Sequence, residues 1–260
     1  MRAYAMRNKS PLKNKPMRLP GQALGEQIDK MLDGQAFLYL LAGFLPWLVV
    51  FYEWQRYFNP NPPRPVLFTV LAVFVTVICV YRLYRIVPEM KNRARGRSGE
   101  IVVGQFLERL RADGFEVFHD IPANGFNIDH VLVGPQGVFT VETKTIGKPP
   151  RGKAIVDYDG QQIQLNGVTL TRNPIEQAKA QSAWLSKLIQ DRTGKRLFIK
   201  PIVVFPGWYV PEKVKDPHVL VLNEQRIIPF VKAHEQTLNP PDIQLIAAQL
   251  TQYITTFPNQ

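Results

Sequence analysis

The chain has 260 residues, 45% of them hydrophobic, and a formal net charge of +11; at roughly 100 to 200 residues per domain this is enough for one sizeable core and an extension. Residues 1–97 hold 15 Lys+Arg against 5 Asp+Glu, a net +10, whereas residues 98–260 hold 17 against 16, a net +1, so the overall basicity does not mark a polyanion-binding face in the second part. The one cysteine, Cys79, excludes an internal disulfide and, sitting in an apolar run, leaves the redox compartment open.

In chain order, residues 1–35 form a basic tail whose first part, to about Lys13, is short of large apolar residues and is expected to be disordered. Two uncharged runs follow, 36–52 and 66–81, each near the lower limit for crossing a hydrocarbon core of about 30 Å. Trp47, Tyr52, Trp54, Tyr57, Tyr81 and Tyr84 extend them with rings that favour the headgroup region. Between them, the Pro-rich stretch 59–65 cannot continue a helix. Residues 36–84 are therefore expected to be two transmembrane helices. Seven Lys or Arg precede the first run and six follow the second, against two in the connecting stretch, which predicts a two-pass protein with both termini cytoplasmic. A basic linker is expected over 85–97.

From Ser98, an expected N-cap, a helix is predicted to about Asp113, ended by Gly114. Strands are expected at 115–121, 127–133 and 138–145, the last two joined by a tight turn at Gly134-Pro-Gln-Gly137. Shorter strands are expected at 154–158, 161–165 and 168–171. Asn173-Pro174 opens a predicted helix to Arg192, with Asn as cap, Pro at the first position and Glu176 in the first turn. Residues 197–205 and 218–222 read as strands, and 242–254 as a helix whose Ile243, Ile246, Leu250 and Ile254 share one face. This order implies an α/β domain with a mixed sheet flanked by helices.

Val138 to Val141 reads as a central strand, and Glu142 and Lys144 continue it at i and i+2, pointing to the same side. Charges beside a core are costly unless paired or bound to a cation. A turn centred between Pro135 and Gln136 makes cross-strand partners sum to 271, which sets Asp129 opposite Glu142. Like charges so placed repel. A divalent cation between them resolves the conflict, and oxygen ligands with open positions suit Mg²⁺ or Mn²⁺. Lys144 then stands ready to orient a water or stabilise charge on a phosphate.

Asp129 followed on the next strand by Glu142-Thr143-Lys144 resembles the PD-(D/E)XK nuclease superfamily, and more closely the nuclease-related domain called NERD. The likeness runs from 98 to about 205 and rests on Gly99-Glu100, Ile128-Asp129-His130 with Val131-Leu-Val-Gly-Pro, Gly137-Val-Phe-Thr-Val-Glu-Thr-Lys144, and Asn173-Pro-Ile-Glu-Gln-Ala178. It implies a restriction-endonuclease-like fold over 98–206, with 207–260 as a C-terminal α/β extension. By the same resemblance Asp129, Glu142 and the backbone carbonyl of Thr143 bind the metal, Lys144 assists the attacking water, Glu100 stands near the metal, and Gln177 contacts the site or the DNA backbone. Ile128 replaces the proline that names the superfamily. His119 and His130 are expected to be structural, His130 pointing away from Asp129.

The expected function is metal-dependent hydrolysis of phosphodiester bonds, in DNA, by a domain tethered to a lipid bilayer. The alternative is a non-catalytic membrane-tethered nucleic-acid-binding or scaffold protein that keeps the fold. No glycine-rich lysine loop for a nucleotide phosphate is present in the sequence, so ATP-driven chemistry is not indicated.

Overall fold

The computed structural model describes residues 19–31, 37–58, 64–149, 151–170 and 173–257. The basic tail to residue 18 and most of the Pro-rich connection (59–63) lie outside the described residues. The chain divides into two compact units, one of residues 22–98 and one of residues 99–260 that also takes in the described residues 19–21.

The first unit holds α1 (Gln22–Met31), α2 (Phe37–Tyr57) and most of α3 (Pro65–Glu108). α2 and the apolar start of α3 are long and apolar enough to cross a membrane. They lie antiparallel: Trp47 Nε1 donates to Thr76 Oγ1 at 2.8 Å, and Gly43 faces Cys79. Their outer faces expose Leu38, Phe44, Phe51, Val70, Phe74 and Val77. About a tenth of each apolar window is buried, a degree of exposure that monomeric soluble proteins rarely show over so large a patch.

Ser98 is not a cap. It lies inside α3, and its Oγ donates back to the Ala94 carbonyl at 3.0 Å. The expected basic linker of 85–97 is accordingly helical, because nothing in that stretch breaks a helix: Pro88 is accommodated within it. A 3₁₀ turn (Arg109–Asp113) then closes on Gly114, which takes a left-handed φ of 82° and ends the helix as expected.

The second unit is a three-layer α/β structure. Its main sheet is β1 (Glu116–Ala123), β2 (Phe126–Gly134), β3 (Gly137–Thr143), β7 (Ile199–Val204) and β8 (Leu220–Leu222), in that spatial order. β1, β2 and β3 are antiparallel neighbours; β3, β7 and β8 run parallel. A small sheet of β4 (Val156–Tyr158), β5 (Ile163–Leu165) and β6 (Val168–Thr169) stands beside it. α4 (Pro174–Thr193) begins on Asn173, whose side chain accepts from Ile175 N, and stops at Gly194.

One face of the main sheet packs Leu132, Phe139, Val141, Ile202 and Val204 against Val103 and Leu107 of α3 and Ile227 and Val231 of α5 (Glu224–Ala233). The other packs Val131, Val133, Val138 and Ile199 against Leu185 and Ile189 of α4 and Ile243, Ile246 and Leu250 of α6 (Pro240–Thr256). Strands whose two faces are both covered read as apolar runs, and β3 is buried along its whole length. The residues after 206 thus complete this sheet and its layers: β8 extends it and α6 covers it.

Candidate active site

The β2–β3 register is the one that the turn dictates: Val133 pairs with Val138, Val131 with Thr140 and His130 with Val141. Continued by one residue, it sets Asp129 against Glu142. Here the backbone ladder stops, and the N–H of Thr143 is taken by Asp129 Oδ2 at 2.7 Å. On its other side β3 stays in the sheet, with Lys144 N donating to Val204 O at 2.8 Å. The site therefore forms at the carboxyl ends of the parallel pair β3 and β7, where strands open and ligands of α/β sheets usually bind.

Glu142 and Lys144 share a side, as their i and i+2 spacing requires. Lys144 Nζ donates to Glu142 Oε1 at 2.7 Å and to Gln177 Oε1 at 2.8 Å. Gln177 lies one turn before Gln181 on α4, and Gln181 Nε2 donates to Glu142 Oε2 at 2.5 Å and to Asn127 O at 3.2 Å. Glu142, only 3% exposed, is thus bound on both oxygens. The Gln181 amide oxygen is buried without a hydrogen-bond partner.

Glu100 reaches this end of the sheet because Gly99 lets α3 approach Thr145, two residues past the end of β3. A Cβ on Gly99 would stand 1.7 Å from Thr145 Oγ1, so any larger residue would push the helix away. Burial, reinforced by Asp120 and then Glu142, pushes the Glu100 carboxyl up to about 8, with Lys144 pulling the other way. Burial first, then Glu142 and Glu100, raise Asp129 well above the usual carboxylate range. Lys144 thus stands as a positive charge beside several carboxyl groups that repel each other.

Asp120 belongs to the same row. The β1–β2 register pairs His119 with His130 and Ile121 with Ile128, which places Asp120 opposite Asp129. Its backbone is left-handed, with φ 51°, and its Oδ1 accepts from Asn127 Nδ2 at 2.7 Å. Three adjacent strands therefore carry Asp120, Asp129 and Glu142 at this end of the sheet, Asp120 acting on Glu100 and Glu142 on both Glu100 and Asp129. The sequence reading missed Asp120 and Gln181, although both left a signal. The two-residue connection Asn124-Gly125 fixes the β1–β2 register as Pro135-Gln136 fixes the next, and Gln181 sits four residues after Gln177 on one helix face.

His119 and His130 form a buried edge-to-face pair, their rings 5.1 Å apart. Their Nδ1 atoms are 2.8 Å apart, His119 Nε2 is 2.8 Å from Glu108 Oε1, and Thr143 Oγ1 is 3.4 Å from His130 Nε2. Burial holds both imidazoles below their ordinary value. Burial works to raise Glu108, but its bonds from Arg111 and His119 prevail and keep it low. An ionised Glu108 only accepts, so His119 carries its proton on Nε2, His130 carries its own on Nδ1, and Thr143 Oγ–H donates to His130 Nε2. The pair links Glu108 to Thr143 through buried hydrogen bonds and anchors Thr143 from behind.

The donors gathered at the site are all oxygens of the kind hard divalent cations bind. Among the described residues, no three His, Cys, Asp or Glu side chains converge closely enough to hold a metal by themselves. Asp129 and Glu142 supply oxygen donors of this kind without forming a closed protein cage.

A mixed five-strand sheet flanked by helices, with the acidic row and one lysine at the end of its third strand, has the restriction-endonuclease-like architecture. Residues 95–206 match the model of the family described as NERD, nuclease-related domain. No curated protein and no solved structure matches the chain.

Proposed function

We propose that this nuclease-related domain hydrolyses phosphodiester bonds in DNA with the help of Mg²⁺ or Mn²⁺, and that α2 and the start of α3 hold it at a membrane with both termini cytoplasmic. The observation that carries the reading is the closeness of Asp129 to Glu142 just past the last β2–β3 pair, where each carboxyl feels the other's charge, with Lys144 bound to Glu142 at 2.7 Å. Asp129, Glu142 and the Thr143 carbonyl are the residues that would hold the cation. A bound divalent ion would supply charge for the developing phosphorane. Lys144 donates to a water or to a non-bridging oxygen once it leaves Glu142, and Gln177 keeps its ammonium at the site during that exchange. Gln181 fixes the Glu142 carboxylate plane. Glu100, poised to hold or release a proton near neutral pH, can accept one from the attacking water. The exposed apolar faces of α2 and α3 support the tether.

One observation favours a second reading, a non-catalytic nucleic-acid-binding or scaffold module: both oxygens of Glu142 are already satisfied by Lys144 and Gln181. The two readings separate in one experiment. Full-length protein in detergent, with Mg²⁺ or Mn²⁺, is offered single-stranded, duplex and branched DNA. Cleavage that disappears in Glu142→Ala supports the enzyme; folded wild type that cuts none of these substrates, nor RNA, leaves the module.

A further inference from the structure

The near-neutral charge of residues 98–260 conceals a local imbalance that starts at the site itself. Residues 144–153 (KTIGKPPRGK) hold four cations and no carboxylate. Elsewhere in this unit Lys179, Lys195, Lys200, Lys213, Arg226 and Lys232 each face an acidic partner within 3.0 Å. Among the described residues Lys187, Arg196 and Lys215 also lack such a partner, as do Arg109 and Arg192, which lie over aromatic rings, and these five are scattered along the chain. Lys148, Arg151 and Lys153 differ from both groups: they are exposed, they follow one another within six residues, and no ion pair or side-chain hydrogen bond engages them among the described residues.

The segment that carries them is anchored at both ends. Trp208 Nε1 donates to the Ile146 carbonyl at 3.1 Å, and Ile146 and Ala154 pack against the core of the small sheet. Tyr209 N donates to Ala154 O at 2.9 Å, and Ile155 N to Asn166 Oδ1 at 3.0 Å. Three unneutralised charges are therefore held between fixed points instead of on a free tail. At no more than about 3.4 Å per residue, Lys148 lies within about 14 Å of Lys144 and Lys153 within about 31 Å. One strand of duplex DNA carries a phosphate every 3.4 Å or so along its axis, roughly four to nine over those reaches.

We infer that residues 145–153 form the backbone clamp of the nuclease-related domain, with Lys148, Arg151 and Lys153 neutralising phosphates of DNA beside the one presented to Lys144. This rests on the nuclease reading for the identity of the polyanion, and it concerns binding, which needs no metal. Each neutralised phosphate contributes about 0.9 to the slope of log affinity against log salt for duplex DNA.

The test is fluorescence anisotropy with a labelled DNA duplex and full-length protein in phosphatidylcholine nanodiscs, in EDTA, from about 50 to 200 mM salt. Three proteins are compared: wild type, Lys148→Gln/Arg151→Gln/Lys153→Gln, and Lys213→Gln/Arg226→Gln/Lys232→Gln, which loses the same charge from paired cations. The loop variant should lose about 2.7 from the slope, so that wild type weakens about 40-fold more than it over that fourfold rise in salt. The paired-cation variant should lose less than one unit, and Arg151→Gln alone about 0.9. Equal slopes in wild type and loop variant overturn the inference, as does wild type that binds no duplex at the lowest salt. Loss of binding to phosphatidylglycerol vesicles with unchanged DNA binding also overturns it, in favour of a lipid surface. Parallel cleavage assays with metal keep the two ideas apart: cutting with an unchanged slope sinks the clamp alone, and a reduced slope without any cutting sinks the enzyme alone.

Discussion

Glu142 is held on one oxygen by Lys144 and on the other by Gln181, so the two neighbours can be separated by substitution. Lys144→Ala removes the site's ammonium and is expected to lower cleavage by at least about a hundredfold, with circular dichroism unchanged because Lys144 is partly exposed. Gln181→Leu leaves Lys144 in place but frees the carboxylate plane; it should cost about 1 to 3 kcal/mol in denaturant unfolding and reduce cleavage less than Lys144→Ala does. An equal loss in both would show that Gln181 does more than orient. Glu100 gives a pH prediction with a fixed sign. Its carboxyl is raised from 4.5 to about 8, so between those values the folded state holds a proton that the unfolded state has released. Stability therefore falls as pH rises through that window and is flat on this account below it. Thermal melts of wild type without metal should drop between pH 5 and 8, and Glu100→Gln should melt higher at pH 8 with a flatter profile. A wild-type melt that rises across that range would overturn this placement of Glu100. At this scale the sequence was legible wherever a turn set a register: Gly134 pairs with Gly137 and His130 with Val141, which leaves Asp129 within electrostatic reach of Glu142. Gln181 was not legible, since a buried amide looks like any helix glutamine until its partner strand is known.

The elements that carry these residues were largely readable, with two instructive departures. α4 began on Asn173 and ended on Gly194 because a side-chain acceptor and a left-handed glycine satisfy backbone groups that the chain itself cannot. Ser98 offered the same acceptor but lies mid-helix, where its hydroxyl bonds back to Ala94; the preceding residues are good helix formers, and a cap signal terminates nothing by itself. α5 escaped the sequence reading because Pro229 interrupts it and its apolar stripe is short, whereas in the fold Ile227 and Val231 complete one core. The contact of α3 with Thr145, just past β3, is the joint on which the placement of Glu100 depends. Gly99→Ala sets a Cβ into Thr145 Oγ1, and overpacking of this kind costs about 1 to 3 kcal/mol. It should also separate Glu100 from the strand ends, so cleavage falls while Gly99→Ala combined with Thr145→Ala recovers much of both. If the double variant regains stability but no activity, the helix position is not what Gly99 secures.

At the scale of the whole molecule, the charge divides where the structure divides: +10 over residues 1–97 and +1 over 98–260, with the boundary between compact units at Ser98 and Gly99. The positive excess flanks two helices whose apolar side chains face outward, the distribution expected when cations stay on the side from which a hairpin inserts. Glu53 sits near the far end of α2, where it binds Arg56 and the backbone N–H of Arg64 and so avoids standing alone in an apolar setting. Topology then becomes measurable because Cys79 is the single cysteine. In a Cys79→Ser background, Asn61→Cys places a thiol in the connection between the helices, and Gln260→Cys places one in the sequence after α6. A membrane-impermeant maleimide added to intact cells should label the first and not the second, and permeabilised cells should label both. Protection of both thiols until permeabilisation would show that the hairpin does not cross, and labelling of Gln260→Cys in intact cells would put the acidic row on the outer side, away from intracellular DNA.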